Sequence, residues 1–178
     1  MSKKIPNTVI SSTLILACGL LYSTPSNAEW RTFYQNAGTL CRGIDPANDL
    51  RLTRTANQLM NQGGENEAAT VVCNLPSDIY AVSGSNFGVV NYASIWARKT
   101  TGSNKSVSCS MVDGFYGQSG GVIHTPDQGA TVSLPNDGTQ AVLSWTPTGT
   151  NRWLGPVNIR CILPVGTELN DMFVEYEH

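Results

Sequence analysis

Charge is scarce in this sequence. Only 13% of its 178 residues are Asp, Glu, Lys or Arg, about half the usual share. Histidine is scarcer, at two residues, and there is no CxxC pair. No basic excess exists either: the formal net charge is −2, and nucleic-acid phosphates call for a basic face. Low charge beside 40% hydrophobic residues excludes an intrinsically disordered chain, which combines few apolar residues with high net charge. The compositional marks of collagen and coiled coil are missing. What is abundant is turn chemistry, with 17 Gly and 9 Pro. A length of 178 residues suits one domain.

The first 28 residues read as an export signal. Lys3 and Lys4 precede an apolar stretch from Val9 to Tyr22, diluted by Ser12, Thr13 and Gly19. Pro25 and the small residues of Ser26-Asn27-Ala28 follow, giving the n-, h- and c-region order of a secretory signal peptide. The apolar run falls short of the ~20 residues a spanning helix needs, so no transmembrane segment is expected after cleavage. Cleavage after Ala28 leaves one domain over 29–178. A competing reading takes Ile15-Leu16-Ala17-Cys18 as a lipoprotein box acylated on Cys18. Leu16 matches that box poorly, and apolar residues continue to Tyr22.

Removal of the signal leaves nine basic residues against thirteen acidic ones, a net charge of −4. It also leaves four cysteines: Cys41, Cys73, Cys109 and Cys161. An even number in an exported chain reads as two disulfides. None of the four lies closer than 32 residues to the next, so metal-ligand spacing is absent and no metal or cofactor is expected. Four cysteines allow three connectivities, which sequence does not separate. The expected pairs are Cys41–Cys73 and Cys109–Cys161, each stabilising by about 4 kcal/mol on the chain-entropy account.

Period-two alternation runs through the rest. Val107, Cys109 and Met111 share one strand face with serines on the other. Val157, Ile159, Cys161 and Leu163 form a second such face, and Val71, Cys73 and Leu75 a third. Further strands are expected over 89–98, 122–125, 131–134, 141–146 and 171–177. Gly-, Asn-, Asp- and Pro-rich turns separate them, including Thr101-Gly102-Ser103-Asn104 and Pro135-Asn136-Asp137-Gly138. Seven or eight strands at this spacing predict an all-β, antiparallel β-sandwich of jelly-roll type. Asp45 to Gln62 fits neither period and reads as a long connection with one helical turn capped by Asp45-Pro46.

Catalytic patterns fail on inspection. Gly117-Gln118-Ser119-Gly120-Gly121 matches G-x-S-x-G, but a nucleophile elbow needs a helix after the serine, and Val122-Ile123-His124-Thr125 reads as a strand. Trypsin-like proteases place the base histidine before the serine, whereas His124 and His178 both follow Ser119. Asp45, Asp49, Asp113, Asp127, Asp137, Glu168 and Asp171 are carboxylates of the type that glycoside hydrolysis uses. Most stand beside turn residues. A calcium site from Asp45, Asn48 and Asp49, or from Asn136 and Asp137, lacks EF-hand spacing.

Aromatic residues leave one binding option. Tyr92 and Trp96 lie four apart on one strand, hence on one face about 13 Å apart at ~3.3 Å per residue. Exposed, they would stack on successive sugars; but Ala93, Ile95 and Ala97 on the opposite face are apolar too. The strand is therefore expected to be buried on both sides, with both rings in the core. Trp145 alternates with Leu143 and is expected in the core, while Trp153, near Arg152 and Gly155-Pro156, reads as a rim residue and third candidate platform.

The contexts Val71-Val72-Cys73-Asn74-Leu75-Pro76, Val107-Ser108-Cys109-Ser110-Met111, Leu143-Ser144-Trp145 and Arg160-Cys161-Ile162-Leu163-Pro164 resemble a group of small secreted bacterial β-sandwich proteins. That group shares "VVCPLP", "VxC", "LxW" and "CxLP" strands; Asn74 stands where Pro is commoner. The agreement spans roughly Cys41 to Tyr176. It implies export and a disulfide-bonded β-sandwich, and transfers no catalytic residue. The expected role is non-enzymatic surface recognition or envelope structure in the periplasm or outside the cell, with a glycan or another envelope protein as partner. A carbohydrate-binding module and a small secreted hydrolase are the alternatives.

Overall fold

The computed structural model describes residues 30–75, 89–113, 115–116, 122–123, 128–146, 153–154 and 157–177. The signal segment with Cys18, the serine loop with Ser119, and His124, Asp127 and His178 lie outside them. The described residues form fourteen strands and two one-turn helices, in chain order β1 (Trp30–Asn36), α1 (Ala37–Leu40), β2 (Cys41–Gly43), α2 (Pro46–Asp49), β3 (Leu52–Arg54), β4 (Leu59–Asn61), β5 (Ala69–Leu75), β6 (Val89–Lys99), β7 (Ser106–Asp113), β8 (Phe115–Tyr116), β9 (Val122–Ile123), β10 (Gln128–Ser133), β11 (Ala141–Trp145), β12 (Trp153–Leu154), β13 (Val157–Leu163) and β14 (Thr167–Glu177).

They build an antiparallel β-sandwich. One sheet, sheet A, runs β11-β6-β14-β4-β3, with β1 also on β14 and β12 also on β6. Sheet B runs β10-β7-β13-β5-β2. Successive long strands alternate between the sheets, the jelly-roll habit: β5 in B, β6 in A, β7 in B, and later β13 in B and β14 in A. Each sheet turns one face inward, so alternation along a strand decides which side chains meet the other sheet.

Both disulfides form as expected, Cys41–Cys73 and Cys109–Cys161. Each joins directly opposed residues of neighbouring strands: Cys41 faces Cys73 across β2 and β5, and Cys109 faces Cys161 across β7 and β13. All four cysteines are buried on the inner face of sheet B, with Val71, Val107, Met111, Val157, Ile159 and Leu163. Sheet A answers with Leu59, Ala93, Ile95, Ala97, Leu143, Trp145, Leu169, Met172 and Val174. Cys41 Sγ lies 3.7 Å from Met172 Sδ, bridging the two layers. Trp145 is in the core as expected, its indole N–H donating to the Gln128 carbonyl at 2.9 Å.

The stretch 45–62 departs in part from its reading as a connection. Its one helical turn is present, with Asp45 accepting from the Asn48 backbone N–H at 2.8 Å as N-cap. The remainder is a hairpin, β3 on β4, too short at three residues per strand for alternation to show. Buried Asn61 anchors it, donating to the carbonyls of Glu67 and Leu163 at 2.9 and 2.7 Å. Strand β1 was also invisible to the pattern, because Trp30, Phe33 and Tyr34 break period two.

Register is what the disulfides hold. Replacing Cys109 and Cys161 together by Ala is expected to cost roughly 2–5 kcal/mol in denaturant unfolding. A non-reducing peptide map of the wild type should yield the two cross-strand pairs and no other.

Candidate functional site

Inward alternation on β6 fixes what its other face shows. Ala93, Ile95 and Ala97 are fully buried against sheet B, and a register shift between Tyr92 and Val90 turns Val90 inward as well. Tyr92, Ser94, Trp96 and Arg98 therefore point away from the core. Tyr92 and Trp96 are half-buried rather than core residues, which corrects the expectation of burial on both sides. That expectation holds only at Ser94, which lies between them on the outward face and is 0% exposed.

Neighbouring strands complete an aromatic patch. Across β14, Phe173 pairs with Ser94, and across β1, Tyr34 pairs with Phe173. The Tyr34 and Phe173 rings are 4.8 Å apart at 56°, and Phe173 meets Tyr92 at 5.7 Å and 61°. The rings are mutually tilted, not coplanar, which is the packing their quadrupoles favour. Tyr34 is the most open, 69% exposed. On the far side of β6, half-exposed Val142 stands opposite Trp96. The patch thus runs over four strands, with Tyr92 and Trp96 about 13 Å apart along β6.

Polar groups frame these rings. Glu175 pairs with Tyr92 and Thr32. Opposite Trp96 the β14 register shifts between Leu169 and Met172, so Asn170 and Asp171 share one position in a β-bulge. Next along, fully buried Glu168 accepts from Arg98 Nε and, at 2.8 Å, from the Asn170 side-chain amide. Glu168 Oε2, Asn170 Oδ1, Ser94 Oγ and the Asn91 amide nitrogen have no hydrogen-bond partner among the described residues. Buried polar atoms are usually paired with protein or ordered water.

The other faces differ. The outward face of sheet B carries Ser106, Ser108, Ser110, Thr131 and Ser133, cross-bonded at 2.8 Å between Ser108 and Thr131. Arg160 and half-exposed Ile162 interrupt it; no described side chain there is aromatic. An open groove of about 670 Å³ lies at the β2 edge, lined by Arg42, Ile44, Asp49 and Leu50.

Three of the seven candidate carboxylates, Asp45, Asp49 and Asp137, bond local turn donors. Asp49 accepts from the Gly43 N–H at 2.6 Å and from Arg54 at 2.7 Å. The Arg54 hydrogen bond, then that of Gly43, holds its carboxyl below the ordinary value of 3.8. Hydrogen bonds from Asn48 do the same for Asp45, and those from Thr139 for Asp137. For the suggested calcium ligands, the Asp45 oxygens face N–H donors of Asn48, and Asn136 Oδ1 faces the Lys99 ammonium. The Asp113 side chain lies outside the described residues. So does that of Trp153, whose backbone pairs with Val90 at the end of β6.

Sequence reading placed Tyr92 and Trp96 on one strand face but missed Tyr34 and Phe173. Phe173 carried a usable signal, alternating with Asp171 and Glu175 on the polar side of its strand. An aromatic ring on a polar face is an outward ring.

No protein-family model matches the chain, and a search of well-characterised proteins finds no relative. Solved structures give partial likenesses. The C-terminal CBM6 of LamC, a marine laminarinase from Zobellia galactanivorans, has a TM-score of 0.42 at 10% identity, covering 81% of this chain and 98% of that one. TmCBM61, solved with β-1,4-galactotriose, has 0.42 at 9% identity, covering 84% and 88%. Peanut lectin has 0.39 at 10%, covering 84% and 98%. At these scores the likenesses assign neither a family nor a ligand.

A carboxyl held below its ordinary value stabilises the fold above that value, and the contribution is lost as pH falls through the folded one. Asp49→Asn is therefore expected to flatten the fall in unfolding free energy below about pH 4, measured by urea titration across pH 2–6. An unchanged acid slope would contradict the role given to Asp49.

Proposed function

We propose that the protein is an exported, non-enzymatic recognition module that binds glycans on the outward face of sheet A. The aromatic patch of Tyr34, Phe173, Tyr92 and Trp96 carries this reading. Tyrosine and tryptophan offer large apolar faces with a polar tip, suited to the apolar faces and hydroxyl rims of pyranose rings. A ligand touching both Tyr92 and Trp96 spans about 13 Å, longer than one sugar ring, and so is an oligosaccharide.

Export belongs to the same proposal. Two disulfides suit an oxidising compartment, and cleavage after Ala28 would start the mature chain one residue before β1. Among the described residues no helix is long and apolar enough to cross a membrane. The agreement of the cysteine-bearing strands supports membership in the group of small secreted bacterial β-sandwich proteins. A hydrolase reading gains nothing from Asp45, Asp49 and Asp137, which bind turn donors, or from Glu168, which is buried against Arg98.

The test is a glycan array followed by calorimetry on the strongest hit. The wild type should bind, and Trp96→Ala and Tyr34→Ala should each weaken binding about tenfold, near 1.4 kcal/mol, with unchanged circular dichroism. Arg160→Ala, on sheet B, should bind like the wild type. Equal binding by the Trp96→Ala and Tyr34→Ala variants, or selective capture of an envelope protein in place of glycan, would overturn the assignment. Intact-mass measurement of the exported chain should show Glu29 first; acylated Cys18 would replace cleavage at Ala28.

A further inference from the structure

The charge distribution on this face is lopsided. Its described carboxylates are Glu168, Asp171 and Glu175, and its one described outward cation on β6, β14, β11 or β4 is Arg98. Arg98 is committed to Glu168. Asp171 and Glu175 form no ion pair among the described residues, and each stands across from a ring of the patch: Glu175 from Tyr92, Asp171 in the bulge facing Trp96. Directly opposed side chains on neighbouring strands have Cβ atoms about 5 Å apart. A ligand stacked on either ring therefore lies within reach of a carboxylate charge.

Two buried polar side chains beside the rings add to this picture. Asn170 is 7% exposed and its amide donates to Glu168 at 2.8 Å, yet its Oδ1 has no partner among the described residues. Ser94 Oγ, fully buried between Tyr92 and Trp96, has none among them either. Beside Trp96 the Asn170 amide oxygen and the Asp171 carboxylate are acceptors, while Ser94 Oγ can donate as well as accept and the Asn91 amide donates. Acceptors recognise hydroxyl and ammonium hydrogens, and they repel carboxylate and sulfate oxygens.

We infer that the face selects neutral or amino-bearing oligosaccharides and rejects anionic ones, with Asp171 and Glu175 as the charge filter. This inference rests on the glycan-binding reading and narrows it to a ligand class. The filter acts by like-charge repulsion beside the stacking rings, so it weakens with salt, because exposed charges are screened over about 8–10 Å at 0.1–0.15 M. Discrimination of this kind excludes wrong partners more than it tightens the right one.

The test uses arrayed hexasaccharides of single backbones, β-1,3- and β-1,4-linked glucans and galactans, each in neutral, amine-bearing and carboxylate-bearing form. The quantity read is the ratio of neutral to carboxylate-bearing affinity at low and high salt. In the wild type this ratio should exceed about ten at low salt and fall several-fold in 1 M NaCl, where the screening length is about 3 Å. The double variant Asp171→Asn, Glu175→Gln should bring the ratio near one at low salt. Asp137→Asn, which removes a turn carboxylate elsewhere, should leave it as in the wild type. A wild-type preference for carboxylate-bearing glycans, or a ratio unmoved by the double variant, overturns the filter while leaving glycan binding intact. Absence of binding to every glycan form removes the binding reading and the filter with it.

Discussion

The outward face of sheet A exists because alternation is locked, and the locks are the two cross-strand cystines. A strand that slips by one residue sends every side chain to the other face. Cys41 opposite Cys73 and Cys109 opposite Cys161 forbid such a slip in the strands that line the core of sheet B. With that inner face fixed, sheet A has one way to present apolar partners to it: Ala93, Ile95 and Ala97 inward on β6, Leu169, Met172 and Val174 inward on β14. Tyr92, Trp96 and Phe173 are then outward by default. The Cys41–Met172 sulfur contact is where the lock in one sheet meets the strand that carries the patch in the other.

Much of this was legible in the chain itself. Val107-Cys109-Met111 and Val157-Ile159-Cys161-Leu163 announce half-buried strands, and the structure places β7 and β13 on them with those residues inside. Turn chemistry was equally plain at Gly102, Asn104 and Gly138, all of which adopt positive φ. Short elements were not legible. Three residues, as in β3 and β4, cannot display a period, and β1 mixes aromatic residues on both of its faces.

The candidate site was half legible for a related reason. Tyr92 and Trp96 could be placed on one face, but both faces of β6 are apolar, so the sequence could not say which one looks out. That choice is made by tertiary packing: Ala93, Ile95 and Ala97 join the core between the sheets, while the bulky rings remain outside. Phe173 and Tyr34 join the patch only through the pairing of β6, β14 and β1, strands distant in sequence. The bulge that brings Asn170 and Asp171 opposite Trp96 is likewise a property of register, with no mark in local composition.

The chemistry of the two outer surfaces now separates their roles. Sheet B shows serine and threonine hydroxyls paired across β7 and β10; sheet A shows tilted rings and, among the described residues, unpaired polar atoms and carboxylates without an ion pair. The measurement that bears most directly on this division is a backbone amide titration by nuclear magnetic resonance with a bound oligosaccharide. Shifts concentrated at Tyr34, Tyr92, Trp96, Asp171 and Phe173 are the predicted result. Shifts concentrated on the serine face of sheet B, or around Arg42, Ile44 and Leu50, would contradict it.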